Sequence, residues 1–285
     1  MSIKECVTFN DELFTVKCAM LELQSLNITE ISDIKGLDNL DVKELCLWEN
    51  NIREINGLDD LHQLEVLALW GNQIEKISGL EDLRNLKVLF LGNNKIQQIT
   101  GLGNLTELNE LYLNNNQIQV ISGLVNLTQL QILELQHNNI SEIKGLETLS
   151  ELQYLDLSQN NLNKIQGLEN LTALHTLILS QNQIPEISGI AQLHDLEKLF
   201  LRDNLVTEIN SLPDSSKLHI LDLGGNNITT INSELLCKFP QLKICLLDHN
   251  KLQQLSFNEL SCLEKHTDIS LLSLSGNPIE FLEIH

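Results

Sequence analysis

Leu67-Ala68-Leu69-Trp70-Gly71-Asn72-Gln73-Ile74-Glu75-Lys76-Ile77-Ser78-Gly79-Leu80 is one statement of a phrase that fills most of this chain. Its asparagine recurs at 50, 72, 94, 116, 138, 160, 182, 204 and 226, each number exceeding the last by 22. Leucines stand three and five residues before it, from Leu45 and Leu47 to Leu221 and Leu223. Aliphatics stand two and five residues after it, from Ile52 and Ile55 to Ile228 and Ile231. A fixed period in the twenties describes a stack of units, each burying its apolar edge only against its neighbours. The alternation around the paired leucines reads as one short strand per unit, and stacked strands form a parallel sheet with leucine columns inside. The asparagine follows the strand, where the chain turns away. Its amide donates and accepts, so it can satisfy peptide groups that the turn leaves unpaired. A glycine recurs from Gly57 to Gly189, signalling a positive φ or a close backbone approach on the return.

The full phrase, L-x-x-L-x-L-x-x-N-x-I-x-x-I-x-G-L-x-x-L, resembles the leucine-rich repeat in its 22-residue subclass. The leucine-rich regulatory subunit of type-one protein phosphatase and the bacterial internalins share that subclass. The resemblance covers nearly the whole chain. It implies an α/β, β-rich, right-handed leucine-rich-repeat solenoid: a curved horseshoe with a parallel concave sheet and short irregular convex segments. It also implies a protein-binding scaffold.

Departures from the phrase divide the chain. Residues 1–20 read as an N-terminal cap that covers the end of the stack through Val7, Phe9, Leu13, Phe14 and Val16. Regular repeats run over 21–226, opening on a degenerate unit with Leu26 in the asparagine slot. Residues 227–285 read as longer, partly helical repeats of the same solenoid, with helices at Ser233–Phe239 and Phe257–Lys265.

Lys+Arg of 18 against Asp+Glu of 39 gives a net charge of −21. Such a field repels nucleic acid and anionic membranes and favours a partner with a basic surface. No stretch reads as a signal peptide or membrane span, and six cysteines without C-x-x-C read as reduced thiols. The expected setting is cytoplasmic or nuclear, and the expected state a monomer, with a dimer through the terminal strand edge as the other possibility.

The residues four and two before each asparagine point out of the core, onto the concave face. There lie Trp48, Trp70, Phe90 and Tyr112, with Phe200 further on, in a chain only 4% aromatic. Small neighbours, Cys46 and Ala68, leave the indoles room to lie across the sheet, and Gly92 clears space beside Phe90. Either the rings pack on one another, as cross-strand pairs do, or they form a contact patch. Glu134, Asp156 and Asp222 extend the patch with carboxylates, and Arg202 sits beside Phe200. The candidate partner site is therefore Trp48, Trp70, Phe90, Tyr112, Glu134, Asp156, Phe200, Arg202 and Asp222, fitting a protein with apolar and basic side chains. The resemblance to the phosphatase subunit implies that Phe90, Tyr112, Glu134, Asp156, Phe200 and Asp222 form the contact set.

No enzyme is expected. Asp156, Ser158 and His137 could meet on neighbouring strands, but nothing supplies an oxyanion hole or a water-excluding pocket. No His/Cys spacing suggests zinc, the glycines form no phosphate loop, and no cofactor is expected. The function read here is a non-catalytic protein-interaction scaffold. Its alternatives are a phosphatase regulatory subunit, an internalin-like host-cell adhesion module and a self-associating structural solenoid.

Overall fold

The computed structural model describes residues 6–209, 211–213, 215–231, 238–256, 269–279 and 281–283. The chain divides into two compact units, Met1–Asn139 and Ile140–His285. In the first, β1 (Cys6–Phe9) and β2 (Glu12–Thr15) form an antiparallel hairpin. Then come β3 (Met20–Glu22), β4 (Glu44–Cys46), β5 (Val66–Ala68), β6 (Val88–Phe90), β7 (Glu110–Tyr112) and β8 (Ile132–Glu134). Each pairs in parallel with the next, with Leu21, Leu45, Leu67, Leu89, Leu111 and Leu133 in register. The second unit repeats the pattern with β9 (Tyr154–Asp156), β10 (Thr176–Ile178), β11 (Lys198–Phe200), β12 (Ile220–Asp222) and β13 (Ile244–Leu246). There β14 (Gln254–Ser256) pairs with β16 (Phe281–Glu283), while β15 (Leu271–Ser273) continues the main sheet beside β13. Each unit is a leucine-rich-repeat solenoid.

The leucines three and five before each asparagine are fully buried from Leu45 to Leu223. On the return, the phrase G-L-x-x-L-x-x-L spaces its leucines by three, and consecutive turns use that period. The Leu61 N–H donates to Leu58 O and the Leu64 N–H to Leu61 O, each at 3.0 Å. All three leucines therefore point inward. Among the described residues the return holds turns, with short 3-10 segments at Ile31–Asp33 and Leu37–Asn39, and no α-helix. Apart from Lys238 and Phe239, the helices read at Ser233–Phe239 and Phe257–Lys265 lie outside the described residues.

The asparagine column is a hydrogen-bond ladder. Asn72 accepts from the Ile52 N–H at 3.0 Å and donates to Leu47 O and Leu69 O, both at 2.9 Å, tying its own repeat to the one before. The degenerate first unit borrows from the next, because Asn50 Oδ1 accepts from both Leu26 N–H and Ile28 N–H. At the glycine column φ is positive, +71° at Gly101, where a Cβ would sit 2.7 Å from Ile77 O of the preceding repeat. Glycine is required there by geometry as well as by torsion.

The cap departs from expectation in one respect. Val7 and Phe9 of β1 are buried, but Leu13 is 62% exposed and Phe14 and Val16 are only half-buried. β1 turns Val7 and Phe9 inward and bridges Lys35 through Thr8, while β2 lies beside β3 with its side chains largely open.

Candidate functional site

The face opposite the leucines is built from the residues flanking each core leucine, which alternate with it along the strand. In the first unit it carries two stacked ring pairs. Trp48 and Trp70 lie 5.0 Å apart at 5°, and Phe90 and Tyr112 lie 4.6 Å apart at 15°. The in-register parallel pairing of β4 with β5 and of β6 with β7 sets both stacks. The indoles thus pack ring on ring, which the small neighbours Cys46 and Ala68 permit. All four rings remain half-exposed, so stacking and presentation coexist. Offset stacks of this kind contribute about 0.5–1.5 kcal/mol each, so the plates are held in place before any partner arrives. Gly92 does not leave an open space: the Asn114 amide leans over it, and a Cβ there would sit 2.5 Å from Asn114 Oδ1.

Carboxylates surround the rings. The Tyr112 hydroxyl donates to Glu110 at 2.7 Å, and Gln136 Nε2 donates to Glu134 at 2.9 Å. Burial, and then the charges of Glu22 and Glu44, push the Cys46 thiol above its ordinary value. At the strand entry Glu65 accepts from Lys43 at 2.5 Å and from Lys87 at 2.7 Å. Those two lysines hold its carboxyl at about 2.

In the second unit the candidate residues behave differently. Asp156 is 7% exposed and accepts from the Ser158 backbone at 2.8 Å and its hydroxyl at 2.6 Å. Ser158 is therefore committed to local bonding with the Asp156 carboxylate. Asp222 is 6% exposed, accepting from Arg202 Nε and from the Gly224 N–H at 3.0 Å each. The Arg202 guanidinium reaches two repeats further, to Asp248, at 2.8 and 3.1 Å. It crosses over Gly224, where a Cβ would lie 2.5 Å from the guanidinium carbon. Arg202 holds the Asp248 carboxyl below the usual range, and the two carboxylates keep the guanidinium protonated. Phe200 is half-buried beside this cluster. Arg202 and Asp222 are thus brought together as an internal clamp, and Asp156 and Asp222 stand less open than an acidic stripe requires. Sequence reasoning passed over Asp248 and Glu110. Asp248 was marked only by standing in the two-before column behind Arg202 and a glycine, and Glu110 by standing one turn of the pleat before Tyr112.

Among the described residues no group of three His, Cys, Asp or Glu side chains is placed to hold a metal ion. Cys245 fills a leucine slot, fully buried, which pushes its thiol up to about 12. It is an inert core side chain at neutral pH.

Comparison with known proteins supports this architecture. The family described as "Leucine Rich repeats (2 copies)" matches in overlapping windows, 41–82, 62–104, 84–126, 106–148, 128–171 and 172–214. A single "Leucine Rich Repeat" matches 217–239. A search of curated proteins gives no match. Among solved structures, the chain is similar to an internalin (inlF) from Listeria monocytogenes, 26% identical with a TM-score of 0.71, covering 94% of this chain and 87% of that one. It is also similar to a leucine-rich-repeat protein of Leptospira interrogans, 26% identical with a TM-score of 0.74, covering 92% and 73%. A third is the ectodomain of the plant membrane receptor kinase GASSHO1/SCHENGEN3 from Arabidopsis thaliana, solved in complex with CASPARIAN STRIP INTEGRITY FACTOR 2. It is 26% identical with a TM-score of 0.70, covering 98% of this chain and 40% of that one. The matched windows run through 41–214 of the 285 residues, more than half the chain, and this protein belongs to the leucine-rich repeat family.

Proposed function

We propose that this chain is a non-catalytic scaffold that binds a partner protein on the sheet face of its first unit, through Trp48, Trp70, Phe90 and Tyr112. One observation carries the reading. A chain with two tryptophans and two tyrosines places both tryptophans and one tyrosine, with Phe90, as stacked, half-exposed rings on one face. Pre-positioned aromatic plates lose little side-chain entropy on contact, and such residues dominate binding hot spots. The plant receptor ectodomain to which this chain is similar was solved in complex with CASPARIAN STRIP INTEGRITY FACTOR 2, which supports reading the fold as a binding surface. The clamp of Arg202, Asp222 and Asp248 instead ties its own repeats together.

Affinity capture with the wild type and with a Trp48→Ala/Trp70→Ala/Tyr112→Ala variant tests the assignment. The variant is expected to keep its far-ultraviolet circular dichroism, since every core leucine is intact, and to lose the proteins that the wild type retains. A folded variant that retains the same proteins would place the binding face elsewhere.

A further inference from the structure

Resting on that reading, we infer that the aromatic face takes a polypeptide segment with an apolar centre and a cluster of lysine or arginine at each end. The arrangement of charge along the stack carries this. The ring pairs occupy the repeats of β4 to β7. At one end Glu22 of β3 stands opposite Cys46 of β4 in the parallel register, and Glu44 lies two residues before Cys46 on the same strand face. At the other end Glu110 of β7 takes the Tyr112 hydroxyl and Glu134 follows on β8. In β3 to β8, and at the flanking positions that share this face, the described residues include no lysine or arginine. Lys43 and Lys87 stand just before β4 and β6, and both are already paired with Glu65. Lys17 lines a cavity with Glu22 at the β3 end, so Glu44 is the carboxylate there that a cationic cluster would meet.

The site is therefore a greasy middle between two acidic ends, which selects for more than net positive charge. A segment basic at one end only would leave the opposite carboxylates facing its apolar part. Strand spacing supplies the scale. From β4 to β7 is three steps of about 4.8 Å, roughly 14 Å, and from β3 to β8 five steps, roughly 24 Å. The cationic clusters should stand that far apart, about 9–16 residues in a helix at 1.5 Å per residue. The rim charges would orient the segment and speed its arrival, while the stacked rings hold it.

The chain contains two tryptophans, Trp48 and Trp70, so intrinsic tryptophan emission reports on this face alone. The probe is a synthetic amphipathic helical peptide with two lysines at each end and a leucine-phenylalanine middle. Two controls accompany it, one with glutamates replacing the lysines and one with a serine middle. The lysine-ended peptide is expected to shift the emission and to bind at least about tenfold more tightly than either control. A Glu44→Lys/Glu110→Lys variant, checked for folding by circular dichroism, is expected to reverse the preference between lysine and glutamate ends. Equal binding of the two peptides, an unreversed preference in the folded variant, or no emission shift with any peptide would overturn the inference. If the triple aromatic variant loses its captured proteins while the charge-reversed variant keeps them, the scaffold reading stands and this inference alone falls.

Discussion

Replacing Asn116 by leucine removes one rung of the ladder while keeping side-chain size. Asn116 Oδ1 accepts from the Ile96 N–H at 2.9 Å, and Nδ2 donates to Leu91 O and Leu113 O at 3.0 Å each and to Asn114 O at 3.3 Å. The residue is 9% exposed, so water has little access to the groups it serves. Stranding the Ile96 donor costs about 1–3 kcal/mol, and weakening the three carbonyls brings the expected loss to about 2–5 kcal/mol. The position is interior, and a solenoid is held by contacts between neighbouring repeats, so the loss should also lower cooperativity and reduce the urea m-value. Asn139 gives the control. It too follows a strand, but its side chain is exposed and makes none of the ladder bonds, so Asn139→Leu should stay within about 0.5 kcal/mol of wild type. Urea unfolding followed by circular dichroism measures both. An Asn116→Leu loss below about 1 kcal/mol, or equal losses at the two positions, would show that the turn does not depend on the amide and would refute the reasoning.

Three further outcomes follow from the geometry. Gly101→Ala sets a Cβ against Ile77 O at a φ of +71° and should cost about 1–3 kcal/mol in the same assay, whereas an unchanged midpoint would mean the return relaxes freely. The residue before each asparagine is left-handed, with Gln181 at a φ of +55° and its side chain exposed, so Gln181→Gly should gain about 0.5–1 kcal/mol by relieving that strain. A net loss there would contradict it. Arg202→Met takes the guanidinium from Asp222 and Asp248, leaving them the Gly224 N–H and the His249 ring, and should cost about 1–3 kcal/mol at pH 7, allowing for a guanidinium one-third exposed. Because the folded Asp248 carboxyl is held low, the clamp's contribution is complete above the unfolded aspartate value near 3.9 and is lost as pH falls below it. Urea midpoints at pH 7 and pH 3 should therefore show the gap between Arg202→Met and wild type narrowing in acid, and a constant gap would remove the ion cluster as its cause.

The fold was legible because its signal is redundant. One leucine column establishes little, but leucines, isoleucines, asparagines and glycines locked to one period admit one kind of stack. The ladder could be read from chemistry alone, since the asparagine amide puts two donor hydrogens and an acceptor on one short side chain, where a hydroxyl has a single donor. The left-handed residue before it was hidden: glycine, aspartate and asparagine at 71, 93, 115, 203 and 225 hint at it, but Glu49, His137, Gln159 and Gln181 dilute the hint. The candidate face was legible only as a set of directions. Alternation says that Asp222 leaves the core, but not that Arg202 will lean onto it. Nor does it say that Gly224, by having no side chain, lets the same guanidinium reach Asp248. Whether an outward residue is presented or consumed depends on side-chain length across two strands, which periodicity does not encode. The aromatic pairs were readable for the opposite reason. In-register strands about 4.8 Å apart bring neighbouring flat rings nearly to stacking distance by themselves, so column position alone predicts contact. A partner surface on a solenoid is thus most readable where adjacent repeats carry the same kind of side chain, and least readable where they carry opposite charges that can satisfy each other.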